Sequence, residues 1–98
     1  MTKRTQTELE EKIKEWKARN INVSRRQAKL ALKQTGKLSQ IQPTIDAIED
    51  ASKREEVQIY WDDSQYFERN HPVLIDLATM LNMTDEELDN LFILGSQL

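Results

Sequence analysis

Few residues in this chain have the type and spacing for covalent chemistry. A nucleophilic Ser, Cys or Thr needs an adjacent base to activate it. The chain has no Cys and a single His, His71, so Ser24, Ser39, Ser52, Ser64 and Ser96 lack the usual base. Glu68-Arg69-Asn70-His71 has the Glu-x-x-His spacing that supplies ligands in carboxylate-bridged helical bundles, but those sites use the motif twice, with two further carboxylates. His71 directly precedes Pro72, at a helix end, so a capping or surface role is expected for it. Asp62 and Asp63 are neighbours, hence about 100° apart on a helix, and cannot share a proton as a catalytic dyad does. The expectation is a protein with no enzyme activity, no cofactor and no metal.

Binding chemistry is better represented. Arg26, Lys29, Lys33 and Lys37 recur at spacings of three and four, which puts them on one helix face that suits a nucleic-acid backbone or an acidic protein surface. No aromatic residue interleaves them, so base stacking is not expected, and a solvated face opposite Ala28, Ala31 and Leu32 is the plainer reading. Leu77 to Leu88 has the layout of a helix-turn-helix. Its second helix would present Asp85, Glu86 and Glu87 to the groove, where phosphates repel them. Helix-hairpin packing is expected there instead. The remaining signal is an apolar surplus. With a helix read from Ser52 to Arg69, Val57, Tyr60, Trp61 and Phe67 form its main stripe, while Ile59 and Tyr66, seven apart, lie on a second face. Ile93 and Leu94 similarly widen the stripe of the last helix. These four residues are the candidate partner surface; the alternative is that a central helix buries both its faces.

The elements that must position these residues are short and helical. The chain has 98 residues, 38% hydrophobic and 32% charged, with two Gly and two Pro. That length suits one domain. So few turn residues oppose an all-β fold. The longest apolar run, Leu91-Phe92-Ile93-Leu94, falls far short of the roughly 20 residues of a membrane span. The N-terminus lacks an apolar signal core, and with no cysteine the expected location is the cytoplasm. Capping signals recur along the chain. A first helix is expected over residues 8–20, peripheral to the domain and preceded by a flexible segment 1–6. Ser24–Gln27, Ser39–Gln42, Ser52–Glu55 and Thr84–Glu87 all have the capping-box form. Gly36, Asn82 and Gly95 read as stops, and Pro72 as an early helix position. The expected fold is all-α, a compact bundle of five or six short helices in a single domain over residues 1–98, with no β-sheet.

Charge divides the chain. From Met1 to Lys37 eleven Lys or Arg stand against four Glu, a net of +7; from Leu38 onward three stand against thirteen Asp or Glu, a net of −10. The overall −3 therefore hides two halves that suit charge-matched association within or between chains.

The succession Ser24-Arg25-Arg26-Gln27-Ala28-Lys29-Leu30-Ala31-Leu32, then Gly36 and Leu38, then Ile59, Trp61 and Phe67-Glu68-Arg69-Asn70-His71-Pro72, then Leu81 through Phe92, resembles a group of small proteins of tailed phages and prophages. It is also similar to the C-terminal segments of longer proteins encoded near tail and tail-fibre genes. The resemblance covers about residues 23–95 and carries no functional residues. It implies a virus-encoded helical accessory or structural protein, working through protein contacts in tail or tail-fibre assembly, in the host cytoplasm or on the virion. The expected partner is a phage structural or assembly protein or a second copy of the chain, with neither nucleic acid nor membrane. Two alternatives remain: a nucleic-acid-binding regulator using the basic 25–37 helix, and an acidic host-directed inhibitor presenting the carboxylates from Asp46 to Asp63 as a phosphate mimic.

Overall fold

The computed structural model describes residues 9, 10, 12, 16 and 20–98. Strand β1 (Asn22–Ser24) leads into helix α1 (Arg25–Gln34), followed by α2 (Leu38–Asp46), α3 (Ala51–Asp63), strand β2 (Tyr66–Glu68), α4 (Pro72–Met80) and α5 (Asp85–Ser96). Leu9, Glu10, Lys12 and Trp16 are helical and exposed; the remainder of the expected first helix and the segment 1–6 lie outside the described residues. The Asn20 side-chain amide donates to the Trp16 carbonyl at 2.7 Å.

Helices α1, α4 and α5 form where local chemistry places them. Ser24 Oγ accepts from the Gln27 amide at 3.1 Å, and Gln27 Oε1 accepts from the Ser24 amide at 2.8 Å. These bonds satisfy donors that the first turn of a helix leaves free. Thr84 and Glu87 repeat the arrangement at the start of α5. His71 caps α4, its Nδ1 accepting from the Val73 amide, with Pro72 in the first turn where a missing amide costs least. Gly36 (φ +75°) and Asn82 (φ 59°) take the left-handed conformation that follows a helix end.

Two other capping boxes do not form. Helix α2 starts at Leu38, before Ser39, without a side-chain cap. Ser39, Gln42 and Pro43 all lie within it. The Pro43 turn is on the face opposite buried Ile41 and Ile45, so water can take the carbonyl that loses its donor. For α3 the cap is Asp50, not Ser52: Asp50 Oδ1 accepts from the amides of Ser52 (2.9 Å) and Lys53 (3.3 Å). An aspartate here also complements the positive end of the helix dipole.

The expectation of no β-sheet is corrected. Helix α3 ends at Asp63, and Tyr66–Glu68 pairs antiparallel with Asn22–Ser24 in the register Asn22↔Glu68, Val23↔Phe67, Ser24↔Tyr66. Arg25 supplies the reason. Its backbone amide donates to the Gln65 carbonyl and its Nε to the Ser64 carbonyl, both at 3.0 Å, so the chain leaving α3 is held extended. In each strand only the central residue points inward, Val23 and Phe67 being buried.

The core has two clusters, Leu32, Ile41, Ile45, Val57, Val73, Leu77 and Leu81 in one and Val23, Ala28, Phe67, Ala78, Leu88 and Phe92 in the other. Tyr60, Trp61, Met83 and Leu91 pack against both. Trp61 stacks on Phe67 with centroids 5.6 Å apart, and Tyr60 meets Phe67 at 5.4 Å and stacks on His71 at 4.7 Å. Gly95 does not stop α5, which continues to Ser96. It is buried against β1, where a Cβ would lie 3.1 Å from Val23 Cγ1.

Candidate functional site

The polar side chains withdrawn from solvent sit at the junction of β2 with α5. Arg69, just after β2, donates from Nε to Asp89 Oδ1 at 2.8 Å, with side-chain exposures of 4% and 7%. Its Nη2 lies 3.4 Å from the Asp85 carbonyl and 3.8 Å from the Asp85 carboxylate. This pair fastens the strand to the last helix. Nearby, the Tyr60 hydroxyl is buried without a hydrogen-bond partner among the described residues. Burial, with the charge of Glu68 adding, pushes its pKa up to about 12. His71 spends Nδ1 on its cap and its ring face on Tyr60, which fits the capping role read from Pro72. No three His, Asp or Glu side chains among the described residues converge to hold a metal ion. No described helix is long and apolar enough to cross a membrane.

The outer surface is divided by charge. On α3, Ile59 is 60% exposed. The positions three and four residues to either side of it, Glu55, Glu56, Asp62 and Asp63, all carry carboxylates on exposed residues. Helical geometry makes these its neighbours. On α1, Arg26, Lys29 and Lys33 are exposed and Lys37, just beyond the helix, is half-buried. Half-buried Leu30 lies among them, with Arg26 four residues before it and Lys33 three after. Leu30 belongs to neither core cluster. Among the described residues the ion pairs are Lys53–Asp76, Arg69–Asp85 and Arg69–Asp89. Neither the α1 cations nor the four acids around Ile59 take part in them. Lys29 Nζ instead lies 5.7 Å from the centre of the Trp61 ring, within cation–π range.

Compared with protein-family models, curated proteins and solved structures, the chain finds no match. Its surface must therefore be read on its own chemistry.

The four residues expected to form one partner surface are dispersed. Ile59 is on α3, whereas Tyr66, 65% exposed, is on the outward side of β2 opposite Ser24, so the seven-residue helical spacing that linked them does not apply. Ile93 and Leu94 are half-buried on α5. Leu94 helps line a groove of about 590 Å³ with Met83 and Leu91, and Lys37 and Glu87 also border it. The structure thus brings Leu94 together with Lys37, while Arg26, Lys29 and Lys33 remain one face of α1. The Arg69–Asp89 pair and the Arg25 clamp have no local sequence signal, because their partners lie 16 to 40 residues away. The acids around Ile59 could have been found by testing positions three and four away from each apolar residue outside the main stripe.

Proposed function

We propose that the chain is a non-catalytic docking module that acts through protein contacts, in the assembly of the tail or tail fibres of a phage or prophage. The observation that carries the docking reading is Ile59, an exposed isoleucine ringed by four carboxylates that have no ion-pair partner among the described residues. An apolar centre with a charged rim is how protein interfaces are built. The assignment to tail assembly rests on the resemblance over residues 23–95. The test is binding of the purified chain to each tail and tail-fibre protein encoded beside its gene, measured by calorimetry. A complex weakened about tenfold or more by Ile59→Asp is expected, as for loss of an apolar anchor. Binding to none of these proteins refutes the tail-assembly reading.

A second reading has its own observation. Arg26 and Lys33 are exposed and unpaired among the described residues, which suits a phosphate backbone. A salt-dependent gel shift abolished by Arg26→Glu with Lys33→Glu is its signature, and no shift at low salt refutes it.

A further inference from the structure

We infer that the partner on the acidic face of α3 is the basic face of α1 on a second copy of this chain. The inference rests on the docking reading above and specifies the occupant of that surface. The two faces are complementary in charge and in plan: Glu55, Glu56, Asp62 and Asp63 surround Ile59, and Arg26 and Lys33 flank Leu30. Residues Ile21 to Ile45, which include all of α1, contain no acid, so nothing within that helix offsets its cations.

Their placement is also locally unfavourable. Arg25 and Arg26 occupy the first turn of α1, which has no acidic residue, and Asp62 and Asp63 the last turn of α3, which has no basic one. The helix dipole disfavours cations at the first site and anions at the second. Arg25 is occupied with the Ser64 and Gln65 carbonyls, but the side chains of Arg26, Asp63 and Glu55 make no hydrogen bond or ion pair among the described residues. Charges set against the local dipole and left unneutralised are offset when an oppositely charged surface covers them. Because every copy carries both faces, association places cations over acids and Leu30 against Ile59. Nucleic acid would use only the α1 face and would be repelled by the other.

The test is sedimentation velocity on the full chain and on two charge-reversed variants, Arg26→Glu/Lys33→Glu and Glu55→Lys/Asp62→Lys, with circular dichroism confirming that each is folded. The wild type is expected to associate, with a dissociation constant that rises about tenfold or more between about 50 mM and about 300 mM NaCl. Each variant alone should be monomeric, since reversal sets like charges against each other. An equimolar mixture of the two should associate again, because each supplies the sign that the other has lost. A wild-type chain that stays monomeric near 1 mM at low salt overturns the inference, as does association that survives in either variant or a mixture that stays monomeric. A monomeric chain that still binds a tail protein through Ile59 overturns only the self-association. A monomer that binds duplex DNA through Arg26 and Lys33 overturns it in favour of nucleic acid.

Discussion

Removing the carboxylate of Asp89 should be among the most damaging single changes to this chain. Arg69 and Asp89 are both almost fully withdrawn from water, and Nε donates to Oδ1 at 2.8 Å. Asp89→Ala leaves the guanidinium buried, with the Asp85 carbonyl at 3.4 Å and the exposed Asp85 carboxylate at 3.8 Å as its nearest compensation. Breaking a buried pair from one side costs about 3–5 kcal/mol, because the surviving charge has lost both water and partner. A domain of this size has a total stability of about 5–15 kcal/mol, so the variant forfeits about a fifth of it or more. Asp85→Ala, which removes an exposed contact, should cost less than about 1 kcal/mol. Arg69→Met with Asp89→Leu removes both charges and should return to within about 1 kcal/mol of the wild type, or exceed it. The assay is urea denaturation followed by far-ultraviolet circular dichroism, with an unchanged m-value confirming that the midpoint reports stability. The reasoning is refuted if Asp89→Ala costs under about 1 kcal/mol, or if the double replacement is as damaging as the single one.

Tyr60→Phe removes a buried hydroxyl that has no hydrogen-bond partner among the described residues and should be neutral or stabilising by about 1 kcal/mol; a loss greater than about 1 kcal/mol would reveal a hidden partner. The same hydroxyl has its folded pKa raised, so its contribution is fully present below the ordinary tyrosine pKa of 10 and is lost as pH rises toward about 12. Tyr60→Phe should remove that part of the alkaline loss in urea midpoints measured against pH. Glu87 titrates in the opposite sense. The Thr84 backbone amide, with smaller help from the Thr84 hydroxyl and Lys37, holds it below the usual carboxylate range, so its contribution is present above the unfolded pKa and lost as pH falls through the folded one. Glu87→Gln keeps the capping geometry without the charge and should flatten the acid limb of the same curve. At Gly95, alanine adds about 1 kcal/mol of helix propensity but sets its Cβ 3.1 Å from Val23, so Gly95→Ala should be near neutral in thermal melts and Gly95→Val destabilising by about 2 kcal/mol or more.

What was legible in the sequence was local. The boxes at Ser24 and Thr84, Pro72 after His71 and the left-handed Asn82 each act within four residues, and the structure places all of them as read. Boxes at Ser39 and Ser52 have the same letters and fail for reasons in their surroundings. At the start of α3, Asp50 stands two residues ahead of Ser52 with a carboxylate that accepts from two amides, so the serine is left inside the helix. The largest error, reading α3 through to Arg69, arose because Val57, Tyr60, Trp61, Ser64 and Phe67 keep helical spacing across the break. Phe67 does reach the core that this stripe implied, but from a strand. Three-residue strands such as Asn22–Ser24 and Tyr66–Glu68 show only one out–in–out cycle, too little for an alternation signal. Their pairing, like that of Arg69 with Asp89, is fixed only when distant segments meet.

The charge division gains its meaning from these non-local contacts. Arg25 and Arg69 are drawn inward, the first to the carbonyls that end α3 and the second to Asp89, and each is spent on joining segments distant in sequence. Lys53 is likewise occupied, by Asp76 of α4 at 2.8 Å. Once these are subtracted, most of the cations of residues 20–98 that make no ion pair lie on or next to α1, and many of the carboxylates that make none lie on the outer face of α3. Among the described residues, folding thus gathers charges that the sequence only broadly divides by sign onto a basic face of α1 and an acidic face of α3. Core packing does not require such sorting, since Val57 and Leu32 would be buried equally well beneath surfaces of mixed sign. On α1 a mixed surface would also be more stable, because Lys29 and Lys33, like charges four apart on the helix, repel. Glu55 with Ile59 and Asp63, and Arg26 with Leu30 and Lys33, are therefore the positions that the proposed self-association would account for and that core packing leaves unexplained.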